Sequence, residues 1–192
     1  MNQDRARPPL RVALVQFKPK KADVRGNLGR VRQILAEESA HADVVVFPEA
    51  ALSGYFLEGG VSEAALSTDQ LVGLLGAPPP DAADLVVGFY ERHRRRLFNS
   101  AAYLEPSGAA WSVRHVHRKM FLPTYGVFDE ARFVEPGAEV RGFDTRFGRF
   151  GMLNCEDAWH SLPGTILALD HAELVIVVSA SPARDFTPSS RG

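Results

Sequence analysis

Hydrophobic residues occur in short, unbroken blocks along the 192-residue chain, and breaking residues end the first two blocks. The block 11–17 stops before Lys18-Pro19 and the block 43–47 stops before Pro48, so both are predicted to be buried strands. Apolar blocks without polar alternation are typical of parallel strands that are covered on both faces. A helical stripe over 23–41, with Asp23 as N-cap, lies between them. This order predicts an α/β fold with mixed strand pairing.

Later in the chain, turn residues separate further blocks that predict more strands and two more helices. The arginine-rich segment 91–96 is interpreted as a solvated hairpin tip and not as a nucleic-acid site. The predicted elements are a helix over 62–75 opened by Ser62, strands over 84–90, 98–105 and 110–117, an irregular loop over 119–136, a hairpin of 144–147 and 149–154 linked through Gly148, a helix over 162–171 and a strand over 173–179.

Composition limits the classes of partner and the compartment. The 22 basic and 23 acidic residues give a net charge of −1, which provides no electrostatic attraction to nucleic acid or to an anionic membrane. A small molecule or another protein is the expected partner. No apolar stretch is long enough to span a bilayer, and the first residues lack the apolar core of a signal peptide. Together with a single cysteine, this predicts a soluble cytoplasmic protein.

The length predicts one domain with a sizeable core. We expect a flexible N-terminus over 1–9, the folded domain over 10–180 and an irregular tail over 181–192, because the tail shows no periodicity.

Three chemically reactive residues each follow a predicted strand, where α/β proteins usually build their sites. They are Glu49, Lys119 and Cys155, the one cysteine of the chain. Taken singly, each has an ordinary structural interpretation: a capping or ion-paired acid, a surface lysine and an apolar filler. Taken together, a carboxylate can remove the thiol proton and an ammonium can stabilise the thiolate and an oxyanion. The sequence leaves open whether the resting proton lies on the thiol or on an acid.

Three segments around these residues resemble the carbon–nitrogen hydrolases, the nitrilase superfamily. They are Val-Val-Val-Phe-Pro-Glu over 44–49 followed by Leu-Ser-Gly-Tyr over 52–55, the lysine segment 118–130, and the segment 148–157 around Cys155. Asn99-Ser100 also falls where this family often has a similar pair. The order and spacing of the three motifs make the resemblance specific, and it covers the chain from Leu10 to about Ala180.

The resemblance implies an αββα sandwich and assigns a role to each reactive group. Cys155 is implied as nucleophile, Glu49 as general base, Lys119 as the cation that stabilises the tetrahedral intermediate, and Glu130 as a second, positioning glutamate. The backbone N–H of Glu156 is implied as a second oxyanion donor, and no metal or organic cofactor is needed. The implied substrate-binding residues are Tyr55, Tyr125, Glu156 and Trp159.

Domains of this family continue past the strand that 173–179 resembles, so the sandwich is expected to lack its last strands and a helix. An open sheet edge and an uncovered apolar face would then follow. The resemblance also implies a homodimer or higher homo-oligomer, if the dimer surface is kept.

The segments 122–130 and 155–159 particularly resemble glutaminase-type amidase domains, such as those attached to NAD synthetases. The favoured function is therefore hydrolysis of a small linear amide, with ω-amides and carbamoyl compounds open and nitriles as a weaker possibility. A non-enzymatic remnant or interaction subunit is the main alternative. A further alternative is a Cys/His protease, in which Cys155 would pair with His115, His117 or His160. Another is a zinc site formed by His115, His117 and Cys155.

Overall fold

The computed structural model of the protein describes residues 9–55, 57–124 and 129–180, except for the side chain of Glu58. The predicted tail and nearly all of the predicted N-terminal segment lie outside these residues. The described elements are strands β1 Val12–Leu14, β2 Val44–Val46, β3 Asp84–His93, β4 Arg96–Ser107, β5 Ala110–Arg118, β6 Phe143–Thr145, β7 Gly148–Asn154 and β8 Leu174–Val178, and helices α1 Val24–Glu38, α2 Val61–Ala64, α3 Thr68–Leu75 and α4 Ser161–Leu169.

The first sheet has the strand order β1-β2-β3-β4-β5. Strands β1, β2 and β3 pair in parallel, while β3, β4 and β5 form an antiparallel meander. The predicted mixed pairing is therefore confirmed. Because β1 and β2 run in parallel, their C-terminal ends lie side by side at the same end of the sheet.

The second sheet has the order β6-β7-β8, and helix α4 makes the parallel crossover from β7 to β8. Its inner face packs on the inner face of the first sheet through a layer of apolar and aromatic residues. The residues of this layer are Val44, Val46, Val86, Ala101, Tyr103, Phe143, Phe150, Met152, Ile176 and Val178. Two stacked sheets thus enclose the central core.

Helices cover the outer faces. Leu28, Val31 and Leu35 of α1 pack with Leu71 and Leu75 of α3 against the first sheet. On the second sheet, a Cβ at Gly151 would stand 2.7 Å from a methyl group of Leu167, so α4 lies close on β7. This helix–sheet–sheet–helix layering agrees with the predicted αββα sandwich.

Two local predictions are wrong. The single helix over 62–75 is two helices, because Ser67 and Gln70 form a capping box that starts a new helix. Leu66 between them pairs with Glu91 of β3. The basic hairpin tip is also shorter than predicted: β3 and β4 extend until only Arg94 and Arg95 remain, both with positive φ. That turn geometry suits the twist of a two-residue hairpin.

Strands β1 and β8 present apolar side chains to solvent. Leu14 is 75% exposed and Val177 is 44% exposed. The predicted uncovered apolar surface is thus present on these strands. No helix in the described part of the chain is sufficiently long and apolar to cross a membrane.

Candidate active site

Glu49 lies just beyond the end of β2 and is 1% exposed. Its segment presses against β3 at Gly88, where an added Cβ would stand 2.5 Å from the Pro48 carbonyl oxygen and 2.7 Å from Glu49 Cα. The next residue, Ala50, has a φ of 49°, a conformation that costs free energy for a residue with a side chain. The close approach and this turn fix the carboxylate where the strand ends.

Lys119 follows β5 directly and is also 1% exposed, so its interpretation as a surface lysine is wrong. Its backbone N–H donates to the carbonyl of Asn99 on β4 at 2.9 Å. Its Nζ donates to Glu49 Oε1 at 2.9 Å and to Glu130 Oε2 at 2.8 Å. Lys119 therefore meets both glutamates of the predicted site inside the protein.

Glu130 begins a short 3₁₀ turn and is buried. Besides Lys119, its Oε2 accepts a hydrogen bond from the hydroxyl of Tyr55 at 2.9 Å. The Tyr55 ring lies 5.5 Å from Lys119 Nζ, within the range of a cation–π contact. The predicted substrate-binding residue Tyr55 thus lies at the edge of the charged cluster.

Asn99, to which the sequence assigned no role, completes the cluster. Its Nδ2 donates to Glu49 Oε1 at 2.8 Å and also to Glu130 Oε1. Its Oδ1 accepts from Asn154 Nδ2 at 3.0 Å. Both asparagines are fully buried. A buried polar residue within the apolar strand 98–104 is the sequence signal that could have found it.

Cys155 starts the 3₁₀ turn Cys155–Trp159 immediately after β7, with a φ of 49°. Its Sγ accepts a hydrogen bond from Ser179 Oγ at 3.4 Å. In addition to burial, the charge of the nearby Glu49 carboxylate raises the pKa of Cys155. Glu49 Oε2 also accepts from the backbone N–H of Ala180 at 3.0 Å. The end of β8 therefore holds both the thiol and the base, a contribution that the sequence did not indicate.

Asp157 connects the cysteine turn to the lysine segment. It is fully buried, and its Oδ1 accepts from the backbone N–H groups of Met120 at 3.0 Å and Phe121 at 2.9 Å. Its Oδ2 shares a 2.7 Å hydrogen bond with His117 Nε2 and accepts from the Asn154 N–H. Because these partners flank Lys119 and Cys155, Asp157 fixes the distance between the two segments.

Burial dominates the electrostatics of the site. It raises the pKa of Glu49, although the charge of Lys119 opposes the shift. Burial also raises the pKa of Cys155, and the nearby Glu49 charge adds to this effect. For Lys119, burial lowers the pKa, but the charges of Glu49 and Glu130 outweigh it and the net shift is upward. The lysine therefore stays cationic, and a proton is retained within the pair of Cys155 and Glu49.

A cavity of about 910 Å³ opens beside this cluster, and its size suits a small molecule. Glu49, Tyr55, Ser179 and Ala180 line it, together with apolar residues from the ends of β1, β2 and β8. Glu49 is the member of the charged cluster that lines this space, and Lys18 and Lys21 add two further charged residues to its lining.

The other predicted substrate-binding residues have different positions. Tyr125 lies outside the described residues. Glu156 Oε1 lies 3.6 Å from His160 Nε2 on the turn that follows the thiol. Trp159 is 83% exposed at the end of this turn.

The histidines of the protease and zinc alternatives interact with other groups. His117 pairs with Asp157, His115 stacks on Phe143 and His160 stacks on Phe121. The part of the chain that is described contains no cluster of three or more His, Cys, Asp or Glu side chains able to hold a metal ion.

The stacked sheets and the gathered thiol, carboxylates and ammonium define an α/β protein of the hydrolase type. Residues 11–189 match the family model for the carbon-nitrogen hydrolases. The chain therefore belongs to the carbon-nitrogen hydrolase family, as its motifs indicated.

Relatives in this family carry two kinds of activity in their names. The glutamine-dependent NAD(+) synthetase of Acinetobacter baylyi is 30% identical over 183 residues, which cover 94% of this chain and 33% of that protein. An (R)-stereoselective amidase of a Pseudomonas species is 31% identical over 90% of this chain and 61% of its own length. This chain thus spans about a third of the synthetase and less than two thirds of the amidase.

Solved structures share the fold. The glutamine-dependent NAD+ synthetase of Acinetobacter baumannii superposes with a TM-score of 0.79 and 28% identity, over 95% of this chain and 34% of that one. An amidase from a Nesterenkonia species gives a TM-score of 0.74 at 22% identity, over 91% of this chain and 66% of that one. The predicted fold class is therefore confirmed.

Proposed function

We propose that this protein hydrolyses the carbon–nitrogen bond of a small linear amide through a thioester on Cys155. The observation that carries the proposal is the cluster in which Glu49 accepts a hydrogen bond from the ammonium of Lys119, while the adjacent residues Ser179 and Ala180 bond the sole thiol of the chain and the Glu49 carboxylate. A half-buried thiol near a buried base and a buried cation provides the groups that nucleophilic acyl transfer needs.

The reaction divides into two half-reactions. The thiol transfers its proton to Glu49 while sulfur attacks the amide carbon, and the carbonyl oxygen becomes an oxyanion. When the carbonyl reforms, the C–N bond breaks and the amine or ammonia leaves with the proton from Glu49. Glu49 then takes a proton from water, the resulting hydroxide attacks the thioester, and the acid leaves as sulfur regains its proton. Atoms and charges balance over the cycle without an added cofactor.

In this proposal Lys119 stabilises the oxyanion. Of the three N–H donors of its ammonium, Glu49 and Glu130 use two within the described residues, so one remains for the substrate. The backbone N–H of Glu156, next to the thiol, is the second proposed donor. Fixed donors in a water-poor site are worth about 3 to 4 kcal/mol each in related chemistry.

The contacts rank the alternatives. Histidine proteolysis requires an imidazole at the thiol, whereas His117 pairs with Asp157 and His160 stacks on Phe121. Nitrile hydrolysis would use the same nucleophile, so only substrate tests separate it. A glutaminase-like role is equally supported, because several relatives are glutamine-dependent NAD(+) synthetases. Glutamine is then the ω-amide that the site would hydrolyse.

The test is ammonia release from a panel of glutamine, simple aliphatic amides, a carbamoyl compound and an aliphatic nitrile. We expect activity with at least one amide, a covalent acyl adduct on Cys155 by intact mass, and loss of both in Cys155→Ala. Ser112→Ala, a substitution on β5 away from the cluster, is the matched control and should retain activity. Undiminished hydrolysis by Cys155→Ala would overturn the proposal.

The interaction-subunit alternative makes a different prediction for the same protein. Without a formed site, Cys155 should react with iodoacetamide at the rate of a free cysteine and with the same pH dependence. A rate profile shifted away from that of free cysteine supports a formed site even before a substrate is known.

A further inference from the structure

Asn99 and Asn154 form a buried pair of amides that joins the two sheets beside the charged cluster. Alternation along β4 places Asn99 on the same inner face as Ala101 and Tyr103, and alternation along β7 places Asn154 on the same face as Met152. At this end of the apolar layer, Asn154 Nδ2 donates to Asn99 Oδ1 at 3.0 Å and to the Asn99 carbonyl oxygen at 3.4 Å.

This contact fixes which way the Asn99 amide points. With its oxygen held by Asn154, the two N–H groups of Asn99 face Glu49 and Glu130. The opposite orientation would place the amide oxygen against two carboxylates and the amide nitrogen against another donor. The two carboxylates and the Asn154 donor therefore set this orientation together.

The charge count shows what the amide does. With both acids ionised, Glu49 and Glu130 carry two negative charges, and Lys119 supplies one positive charge in the same buried space. Hydrogen bonds donated to a carboxylate favour its ionised form. Asn99 gives one such bond to each acid without adding a charge, which an acidic or basic side chain could not do.

We propose that Asn99 is a positioning residue that keeps Glu49 ionised and aimed at the thiol, and that Asn154 supports the orientation of the Asn99 amide. Through this amide pair, Asn154, which directly precedes Cys155, influences the ionisation of Glu49. The kinetic consequence rests on the proposed function, but the effect on the Glu49 carboxylate does not.

Asn99→Leu and Asn154→Leu test the inference, because leucine has a similar size and no donor. If Asn99 keeps Glu49 ionised, its loss moves the acidic limb of kcat/KM upward by about one pH unit or more. We expect kcat at neutral pH to fall by up to about 10-fold for each pH unit of this shift, with little change in KM. Asn154→Leu should shift the limb in the same direction by less. Ser100→Ala, a buried neighbour on the opposite face of β4 that bonds Glu91, should leave the limb in place.

The alkylation of Cys155 by iodoacetamide gives a second readout that needs no turnover. Protonation of Glu49 in Asn99→Leu removes a negative charge beside the thiol, so the alkylation profile should move to lower pH. If wild type hydrolyses nothing but this shift occurs, the inference holds and the proposed function fails. If wild type is active and both profiles stay unmoved in the two leucine variants, the amides are merely structural. If Asn99→Leu does not fold, the pH profiles of kcat/KM and of alkylation for Asn154→Leu test the inference in its place.

Discussion

At the scale of single residues, the site depends on opposing effects on one carboxylate. Burial disfavours the charged form of Glu49, while Lys119, the Ala180 N–H and Asn99 favour it. The same carboxylate raises the pKa of the thiol that it is proposed to deprotonate. Reactivity of the thiol and turnover should therefore respond in opposite directions when the charge is removed.

Glu49→Gln tests this opposition. The amide keeps the shape but not the charge, so the pKa of Cys155 should fall and the iodoacetamide profile should move to lower pH by about one unit or more. Amide hydrolysis should drop by about 100-fold or more, because the base is gone. Both are measured across a pH series. Glu37→Gln on the exposed face of α1 removes a carboxylate elsewhere and should change neither quantity. A thiol profile that moves to higher pH would contradict the assignment of Glu49.

At the scale of elements, the site is positioned by backbone contacts at strand ends. The segment 48–50 can lie on β3 because Gly88 has no side chain there. A displacement of the base by about 1 Å is enough to reduce catalysis by about 100-fold. A residue that never touches a substrate can thus control the reaction through packing of the strand.

Gly88→Ala should demonstrate this control. The added methyl group would meet backbone atoms of 48–50, which cannot move aside as a flexible side chain can. We expect a loss of about 1 to 3 kcal/mol in the free energy of unfolding, measured in urea, and a lower kcat for the molecules that remain folded. Gly73→Ala is the matched control: its Cβ would meet nothing within 4 Å on α3, and it should stabilise the protein slightly. Equal kcat values for Gly88→Ala and wild type would show that the segment tolerates displacement.

The sequence predicted these elements unequally well. Apolar blocks located β2 and β7, and Asp23 was recognised as an N-cap, since these signals are local. The break between α2 and α3 was missed because helical periodicity continues across it. The capping box of Ser67 is a short local signal that this periodicity hides. Glu49, Lys119 and Cys155 were found because each is conspicuous at a strand end. A polar residue within an apolar strand marks Asn99, but the roles of Asn99 and Asp157 depend on partners from distant strands, which a local pattern does not identify.

At the scale of the whole molecule, the packing of one sheet on the other holds the site together. Lys119 and Glu49 come from the first sheet and Cys155 comes from the second, so the cluster exists only while the two sheets stay packed. His115 on β5 takes part in this packing by stacking on Phe143 of β6, with ring centroids 4.5 Å apart. Within the described part of the chain, neither imidazole nitrogen of His115 has a hydrogen-bond partner.

His115 should make the packed sheets sensitive to acid. Burial lowers its pKa to about 3, with the positive charge of Arg141 adding to the effect, against an ordinary value near 6.5. The unfolded chain therefore binds a proton between these values that the folded protein does not, and stability present above about pH 6.5 is lost as the pH falls toward 3. One such proton changes the free energy of unfolding by at most about 1.4 kcal/mol per pH unit.

The measurement is urea unfolding of wild type and His115→Phe at a series of pH values. Phenylalanine keeps the stack on Phe143 but cannot titrate, so the variant should lose less stability than wild type between about pH 6 and 4. Asp84, whose pKa burial raises to about 6, acts in the opposite direction, but it is present in both proteins and cancels in the comparison. His41→Gln removes an exposed histidine and should run parallel to wild type. Parallel curves for wild type and His115→Phe would mean that the folded protein accommodates a charged imidazole between its sheets.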